Sequence, residues 1–93
     1  MIGMPPVKVE IFTSKTCPFC PPAKEIVERV CKKFGKDVEL VETSIDTKKG
    51  EARANALGIR MVPTIVIENE PKFSGPPSEK NLEAAIKFFL SEK

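Results

Sequence analysis

The stretch Val7-Lys8-Val9-Glu10-Ile11-Phe12-Thr13-Ser14-Lys15-Thr16-Cys17-Pro18-Phe19-Cys20 carries the strongest structural signal in the chain. Val7, Val9 and Ile11 alternate with Lys8 and Glu10, the two-residue period of a β-strand. Phe12 adds an apolar residue on the opposite face, which predicts a strand covered on both sides. Thr13 to Thr16 is a polar loop. Beyond Pro22, the residues Ala23, Val27, Val30, Cys31 and Phe34 recur at helical spacing, and Gly35 supplies the stop. A strand thus runs through a short loop into a helix, with two cysteines at the junction.

Downstream, strands and helices continue to alternate. Val38 to Ile45 is β-rich, and Thr47 to Leu57 reads as a short helix closed by Gly58. Ile59 to Glu68 carries the run Ile65-Val66-Ile67, the mark of a buried strand. Glu68-Asn69-Glu70-Pro71 predicts a turn into a short strand at Lys72 to Ser74. Ser78 is placed to N-cap a last helix whose apolar face is Leu82, Ala85, Ile86, Phe89 and Leu90. A strand joined through a helix to the next strand forms a right-handed parallel pair. The tight turn near Asn69 makes the last two strands antiparallel. The order βαβ-α-ββα therefore predicts an α/β fold, with a mixed four-stranded sheet and helices on both faces. Residues 1–93 are expected to form a single domain.

Composition excludes several chemistries. Hydrophobic residues at 41% and charged residues at 30% are a globular balance, not a disordered one. A net charge of +2 leaves no polybasic footprint, so nucleic acid is not an expected partner. The chain has no histidine, which removes Cys–His and Ser–His–Asp catalysis and Cys₂His₂ zinc sites. No apolar run approaches the roughly 18 residues of a membrane span. The opening Met-Ile-Gly-Met-Pro-Pro-Val-Lys lacks a basic segment followed by an apolar one, so no signal peptide is expected. The expectation is a monomeric, cytoplasmic protein. Many lysines and glutamates, nine prolines and no glutamine lean toward a thermophilic source, whose cytoplasm can contain protein disulfides.

Three cysteines stand at 17, 20 and 31. An odd count in a short chain without a leader argues against a secreted disulfide scaffold. Cys17-Pro18-Phe19-Cys20 is a Cys-X-X-Cys at a strand–helix junction, a spacing that lets the sulfurs close a small ring. A thiolate at a helix N-terminus faces unpaired N–H groups and the positive end of the dipole, which lowers its pKa to roughly 7. Cys17 would then attack a substrate disulfide, and Cys20 would resolve the mixed disulfide. The competing reading is half of a zinc site. It is short of ligands, since only one other cysteine and no histidine exist, so the redox pair is favoured over it.

The surrounding prolines constrain the helix start. With Cys17 as N-cap, Pro18 falls at the first helical position, where its missing N–H costs nothing. Pro21 and Pro22 then fall at the fourth and fifth, where they cannot donate to the carbonyls of Cys17 and Pro18. The expectation is an irregular first turn, a regular helix from about Pro21, and free N–H groups on Phe19 and Cys20 near the Cys17 sulfur. Cys31 lies eleven residues after Cys20, about 16 Å along the helix. That gap forbids a bridge between them; its neighbours Val27, Val30 and Phe34 suggest an inert core thiol, the alternative being a redox-regulated outer thiol. A second signal is Met61-Val62-Pro63-Thr64. Proline in a β-rich segment marks an edge, a strand start or a cis bond.

Taken together, these segments resemble the thioredoxin and glutaredoxin superfamily over nearly the full length. The likeness rests on Val7–Phe12 with Cys17-Pro18-Phe19-Cys20, on Gly58-Ile59-Arg60-Met61-Val62-Pro63-Thr64, and on the hairpin and last helix. It implies the thioredoxin fold and a cis Val62–Pro63 bond packed against the cysteine pair. It also implies a Val62 backbone that receives an extended substrate segment by strand-like hydrogen bonds. Met61 and Gly75 join Val62 and Pro63 as implied substrate-binding positions; Pro18, Phe19 and Lys15 support the dithiol. Chain length and Cys-Pro-Phe-Cys look like glutaredoxin, which usually has tyrosine at the position of Phe19. Gly58-Ile59-Arg60 with Pro63-Thr64 looks like thioredoxin.

The glutathione-binding marks are incomplete. Met61 replaces the threonine of Thr-Val-Pro, Ser74-Gly75-Pro76-Pro77 replaces Gly-Gly and an acidic residue, and Lys15 stands two residues before Cys17 rather than three. Thioredoxin marks are missing as well: Ile11 occupies the place of the buried aspartate, and no tryptophan precedes Cys17. The pattern is most similar to the small glutaredoxin-like thioredoxins of archaea and some bacteria. The resemblance implies a thiol–disulfide oxidoreductase that reduces disulfide-containing proteins, needs no cofactor or metal, and takes electrons from a thioredoxin-reductase-type flavoprotein. The alternatives are a glutathione-dependent glutaredoxin, which the missing marks disfavour, and a non-catalytic interaction or metal-binding module.

Overall fold

The computed structural model describes residues 6–92; the first five residues, which open the stretch read above for a leader, lie outside them. Seven main elements follow in order: β1 (Val7–Thr13), α1 (Cys20–Phe34), β2 (Val38–Ser44), α2 (Lys48–Ala56), β3 (Thr64–Ile67), β4 (Glu70–Ser74) and α3 (Glu79–Glu92). They form a four-stranded sheet in the order β2-β1-β3-β4. β1 runs parallel to β2 and antiparallel to β3, and β3 pairs antiparallel with β4. The mixed sheet and its helices match the expected α/β architecture.

The alternation of β1 divides the core in two. Val7, Val9 and Ile11 pack with Ile65 and Ile67 against Ala23, Val27 and Val30 of α1 and Leu82 and Ile86 of α3. On the other face Phe12 and Val66 meet Ala54 of α2, with Ile45, Leu57, Ile59 and Val62 around them. Burying each of these large side chains contributes about 1.5–3 kcal/mol. Ser78 caps α3 as expected, its Oγ accepting from the Asn81 N–H at 3.0 Å. Thr47 does the same for α2, accepting from Gly50 N–H at 2.9 Å.

Several boundaries differ from the sequence reading. α1 begins at Cys20 with Phe19, not Cys17, as its N-cap. Pro21 and Pro22 therefore occupy the second and third helical positions, whose N–H groups have no intrahelical acceptor. The first regular bond, Ala23 N–H to Phe19 C=O at 3.2 Å, falls just after them. β3 is confined to Thr64–Ile67 rather than Ile59–Glu68. The segment before it is tied instead to α2 and to itself, through Ile59 N–H to Ala54 C=O at 2.8 Å and Thr64 Oγ1 to Met61 C=O at 2.6 Å. β4 starts at Glu70, two residues earlier than expected. The hairpin loop is only Glu68-Asn69, both at positive φ, the signature of a tight two-residue turn. Pro71 fits within β4 because that strand is the sheet edge and carries an irregular register there.

Glu10 lies on the α2 face of β1 and is 2% exposed. Arg53 of α2 meets it with Nε at 2.8 and 2.9 Å and Nη2 at 2.6 Å, and Thr43 Oγ1 donates to it as well. Arg53 Nη2 also reaches Asn69 Oδ1 at 2.9 Å, tying the hairpin turn to α2. Burial pushes the Glu10 carboxyl upward, but the hydrogen bonds from Arg53 and Thr43 and the guanidinium charge outweigh it and hold it below the usual carboxylate range. A carboxyl lowered by folding stabilises the protein above its unfolded pKa, and that stabilisation is lost as pH falls through the folded value.

Arg53→Ala should cost about 2–3 kcal/mol at pH 7, because it leaves a buried charge unpaired. Acidification below pH 5 should then weaken the variant less than the native chain, since protonating Glu10 relieves that charge. Urea unfolding at pH 7 and pH 4 tests both points; an unchanged pH dependence would refute the role assigned to the pair.

Candidate active site

The cysteine loop hangs from the carboxyl end of β1, and neighbouring segments fix it. Ile45 N–H donates to Thr13 C=O at 2.9 Å, which holds the end of β2 to the end of β1. Asp46 then reaches across: one carboxylate oxygen accepts the Lys15 N–H at 2.8 Å and the other the Ser14 hydroxyl at 3.3 Å. Gly50 allows this packing, since a Cβ there would collide with the Ser44 carbonyl. Cys17 N–H completes the loop by donating to Ser14 C=O at 3.3 Å.

Cys17 and Cys20 are joined as a disulfide, with their Cα atoms 5.4 Å apart. Cys17 is half-buried and Cys20 is 4% exposed. Cys17 is thus the more open member of the pair and Cys20 the covered one. The helix start differs in one chemically important respect. Cys20 N–H donates to Cys17 C=O at 3.4 Å, and the next two residues are prolines. Of the two N–H groups expected near the Cys17 sulfur, only that of Phe19 is without a hydrogen bond among the described residues. The helix dipole remains, but with fewer free donors at its head.

Val62–Pro63 is a cis peptide bond. Its position follows from register: Phe12 pairs with Thr64, so Pro63 sits at the end of β1 from which the cysteine loop departs. Pro63 is buried and Val62 half-buried. Gly75 N–H donates to Pro63 C=O at 2.7 Å, so Gly75 anchors this segment from β4. Among the described residues nothing hydrogen-bonds to the main chain of Val62. Phe19 and Met61, 62% and 58% exposed, are two of the three large apolar side chains left most open to solvent. Pro18 and Lys15 are also exposed, and the Lys15 ammonium forms no ion pair among the described residues. Asp46 and Gly50 escaped the sequence reading. Ser14 and Asp46 are too far apart in the chain for any local pattern to join them.

Cys31 lies on the buried face of α1, 7% exposed and free. Burial pushes its thiol up to about 11. Among the described residues no group of three or more His, Cys, Asp or Glu side chains is arranged to hold a metal ion, and no helix is long and apolar enough to cross a membrane.

This geometry defines a class, a Cys-X-X-Cys oxidoreductase of thioredoxin fold, and comparison with known proteins gives the same answer. The thioredoxin domain model matches residues 7–87. Thioredoxin of Methanocaldococcus jannaschii is 42% identical over 84 residues, covering 90% of this chain and 96% of that protein. A probable thioredoxin of Archaeoglobus fulgidus is 37% identical over 81 residues, covering 87% of each. Among solved structures, thioredoxin-2 of a malaria parasite superposes with a TM-score of 0.77 at 25% identity, over 89% of this chain and 82% of that one. The chain belongs to the thioredoxin family and is a thiol–disulfide oxidoreductase. The family's substrates are disulfide-containing proteins and its electrons come through a reductase partner.

The raised thiol at Cys31 has a direct chemical consequence. Iodoacetamide at pH 8 should leave Cys31 unlabelled in the folded protein and alkylate it after unfolding, as read by mass spectrometry. Rapid labelling in the native state would remove the inert-thiol reading.

Proposed function

We propose that this chain, acting as a single monomeric domain in the cytoplasm, reduces disulfides in other proteins with Cys17 as nucleophile and Cys20 as resolving thiol. The observation that carries the reading is the meeting of three features at one end of the sheet. They are the Cys17–Cys20 pair, the cis Val62–Pro63 segment and the exposed side chains of Phe19 and Met61. The half-buried Cys17 is open to an incoming disulfide, whereas Cys20 is covered and acts only after the mixed disulfide forms. The main chain of Val62, unpaired among the described residues, is open to strand-like hydrogen bonds from an extended substrate segment, and Phe19, Pro18 and Met61 offer it apolar contact. Gly75 and Pro63 hold Val62 in place.

The electron donor is a thioredoxin-reductase-type flavoprotein rather than glutathione. Ser74-Gly75-Pro76-Pro77 supports this choice, since it lacks the Gly-Gly and acidic residue of the glutathione-binding pattern. Relatives carrying the name thioredoxin point the same way.

Cys17→Ser should abolish reduction of a disulfide-linked protein. Cys20→Ser should instead accumulate a mixed disulfide, visible as a mass adduct released by dithiothreitol. A Cys20→Ser protein that turns over at the native rate would defeat the assignment.

A separate comparison addresses the donor. Turnover should be supported well by a dithiol or by a thioredoxin-reductase system, and at least tenfold less well by glutathione at equal thiol concentration. Saturable, efficient turnover on glutathione alone would place the chain with the glutaredoxins.

A further inference from the structure

Beside the cysteine pair, and separate from the Val62–Pro63 segment, runs a groove whose walls include Thr13, Lys15, Cys17, Cys20, Lys24 and Glu42. Two of its side chains form an ion pair, Lys24 Nζ to Glu42 Oε1 at 2.8 Å. Thr13 Oγ1 fixes the other carboxylate oxygen, donating to Glu42 Oε2 at 3.2 Å. Lys24 follows Cys20 by four residues on α1. Helical side chains lean toward the helix N-terminus, so Lys24 covers the turn that carries Cys20. β2 supplies the carboxylate from the opposite wall. Neither residue figures in the proposed roles of the dithiol.

We infer that the Lys24–Glu42 pair is a positioning device that balances charge beside Cys20 and so controls how readily this thiol gives up its proton during resolution. The inference rests on Cys20 being the resolving thiol. In that step the Cys20 thiol releases its proton to water in the groove. The thiolate attacks the Cys17 sulfur of the mixed disulfide, and the Cys17–Cys20 bond forms as the Cys17–substrate bond breaks. The second substrate sulfur leaves as a thiolate and takes a proton from water. Over the whole cycle the dithiol loses two electrons and the substrate disulfide gains them.

Cys20 is almost fully covered, and a thiolate formed there is poorly hydrated and sensitive to nearby fixed charge. Among the described residues, other charged groups at this end of the sheet include Lys15 on the groove wall, Asp46 bound to Ser14 and to the Lys15 N–H, and Arg60 before the cis bond. The first turn of α2 adds Lys48, Lys49 and Glu51, while Glu28, one turn along α1, acts on Lys24 itself. Removing the ammonium of Lys24 leaves an unbalanced carboxylate and opposes the Cys20 thiolate. Removing the carboxylate leaves an unbalanced ammonium and favours it. The two substitutions act in opposite directions whichever charge lies nearer the sulfur.

The titration of Cys20 is read from thiolate absorbance at 240 nm in a Cys17→Ser background. That background removes the coupling between the two thiols, and burial pushes the Cys31 thiol up to about 11, away from the range scanned. Lys24→Gln should raise the Cys20 pKa and Glu42→Gln should lower it, each by at least half a unit, or about threefold in thiolate population. Both substitutions together should return it close to the parent value, and Lys24→Arg should leave it unmoved. In the protein with both active-site cysteines, Lys24→Gln should lengthen the mixed-disulfide lifetime at pH 7 about threefold, and Glu42→Gln should shorten it.

Lys24 and Glu42 are each 43% exposed, so neither substitution threatens the fold. Shifts of the same sign would indicate a merely structural role and overturn the inference, as would no shift in either. Slower resolution in Glu42→Gln with faster resolution in Lys24→Gln would also overturn it, and would make Glu42 the proton acceptor. The titration requires no turnover, so it stands apart from a failure of the Cys20→Ser trapping experiment, which would sink the resolving role itself.

Discussion

The candidate site depends on the register of β1 against its two neighbours. Thr13 pairs with Ser44 on one side and Phe12 with Thr64 on the other. Because β2 is parallel to β1 and β3 antiparallel, three segments converge at a single end of the sheet. They are the cysteine loop leaving β1, the Asp46 turn leaving β2 and the cis Val62–Pro63 bond entering β3. A slip of one residue in either pairing would turn every side chain of a strand to the opposite face. It would bury Lys8 among the residues of α1 and α3. The split core prevents this, since β1 is packed on both sides by residues that fit only one face each.

The same double covering explains the polar groups inside. A strand buried on both faces has little room for a carboxylate, yet Glu10 stands in the middle of β1. It is tolerated because Arg53, Thr43 and the turn at Asn69 are organised around it. The pair ties α2, β1, β2 and the β3–β4 hairpin together. Near the dithiol the electrostatic arrangement is of another kind. Lys24 and Glu42 are partly solvated, so their pairing adds little to stability. Their importance lies in proximity to a covered thiol, whose ionisation responds to charge that folding itself barely registers.

The prolines show how a local rule depends on where an element begins. Counted from Cys17, Pro21 and Pro22 would interrupt the first turn of α1. Counted from Phe19, they fall where no N–H is needed, and the helix is regular from Cys20 onward. Their effect is felt in the chemistry instead. They thin out the donors at the helix head, and the Cys20 N–H is engaged with the Cys17 carbonyl.

Periodicity and chemical type were enough to read the alternation of strands and helices, the mixed sheet, the cysteine pair at a strand–helix junction and the burial of Cys31. These depend on residues close together in the chain, where spacing translates directly into a shared face. The cis state of Val62–Pro63 was open to the residues alone and came only with the family likeness. Tertiary structure decided the rest. Asp46 bracing Ser14 and Lys15, Arg53 neutralising Glu10, Gly75 holding Pro63, and Lys24 meeting Glu42 all join residues from different elements. Sequence carries the identity of each partner but not the pairing, because a pairing exists only once the sheet register and helix packing have brought the two side chains within reach.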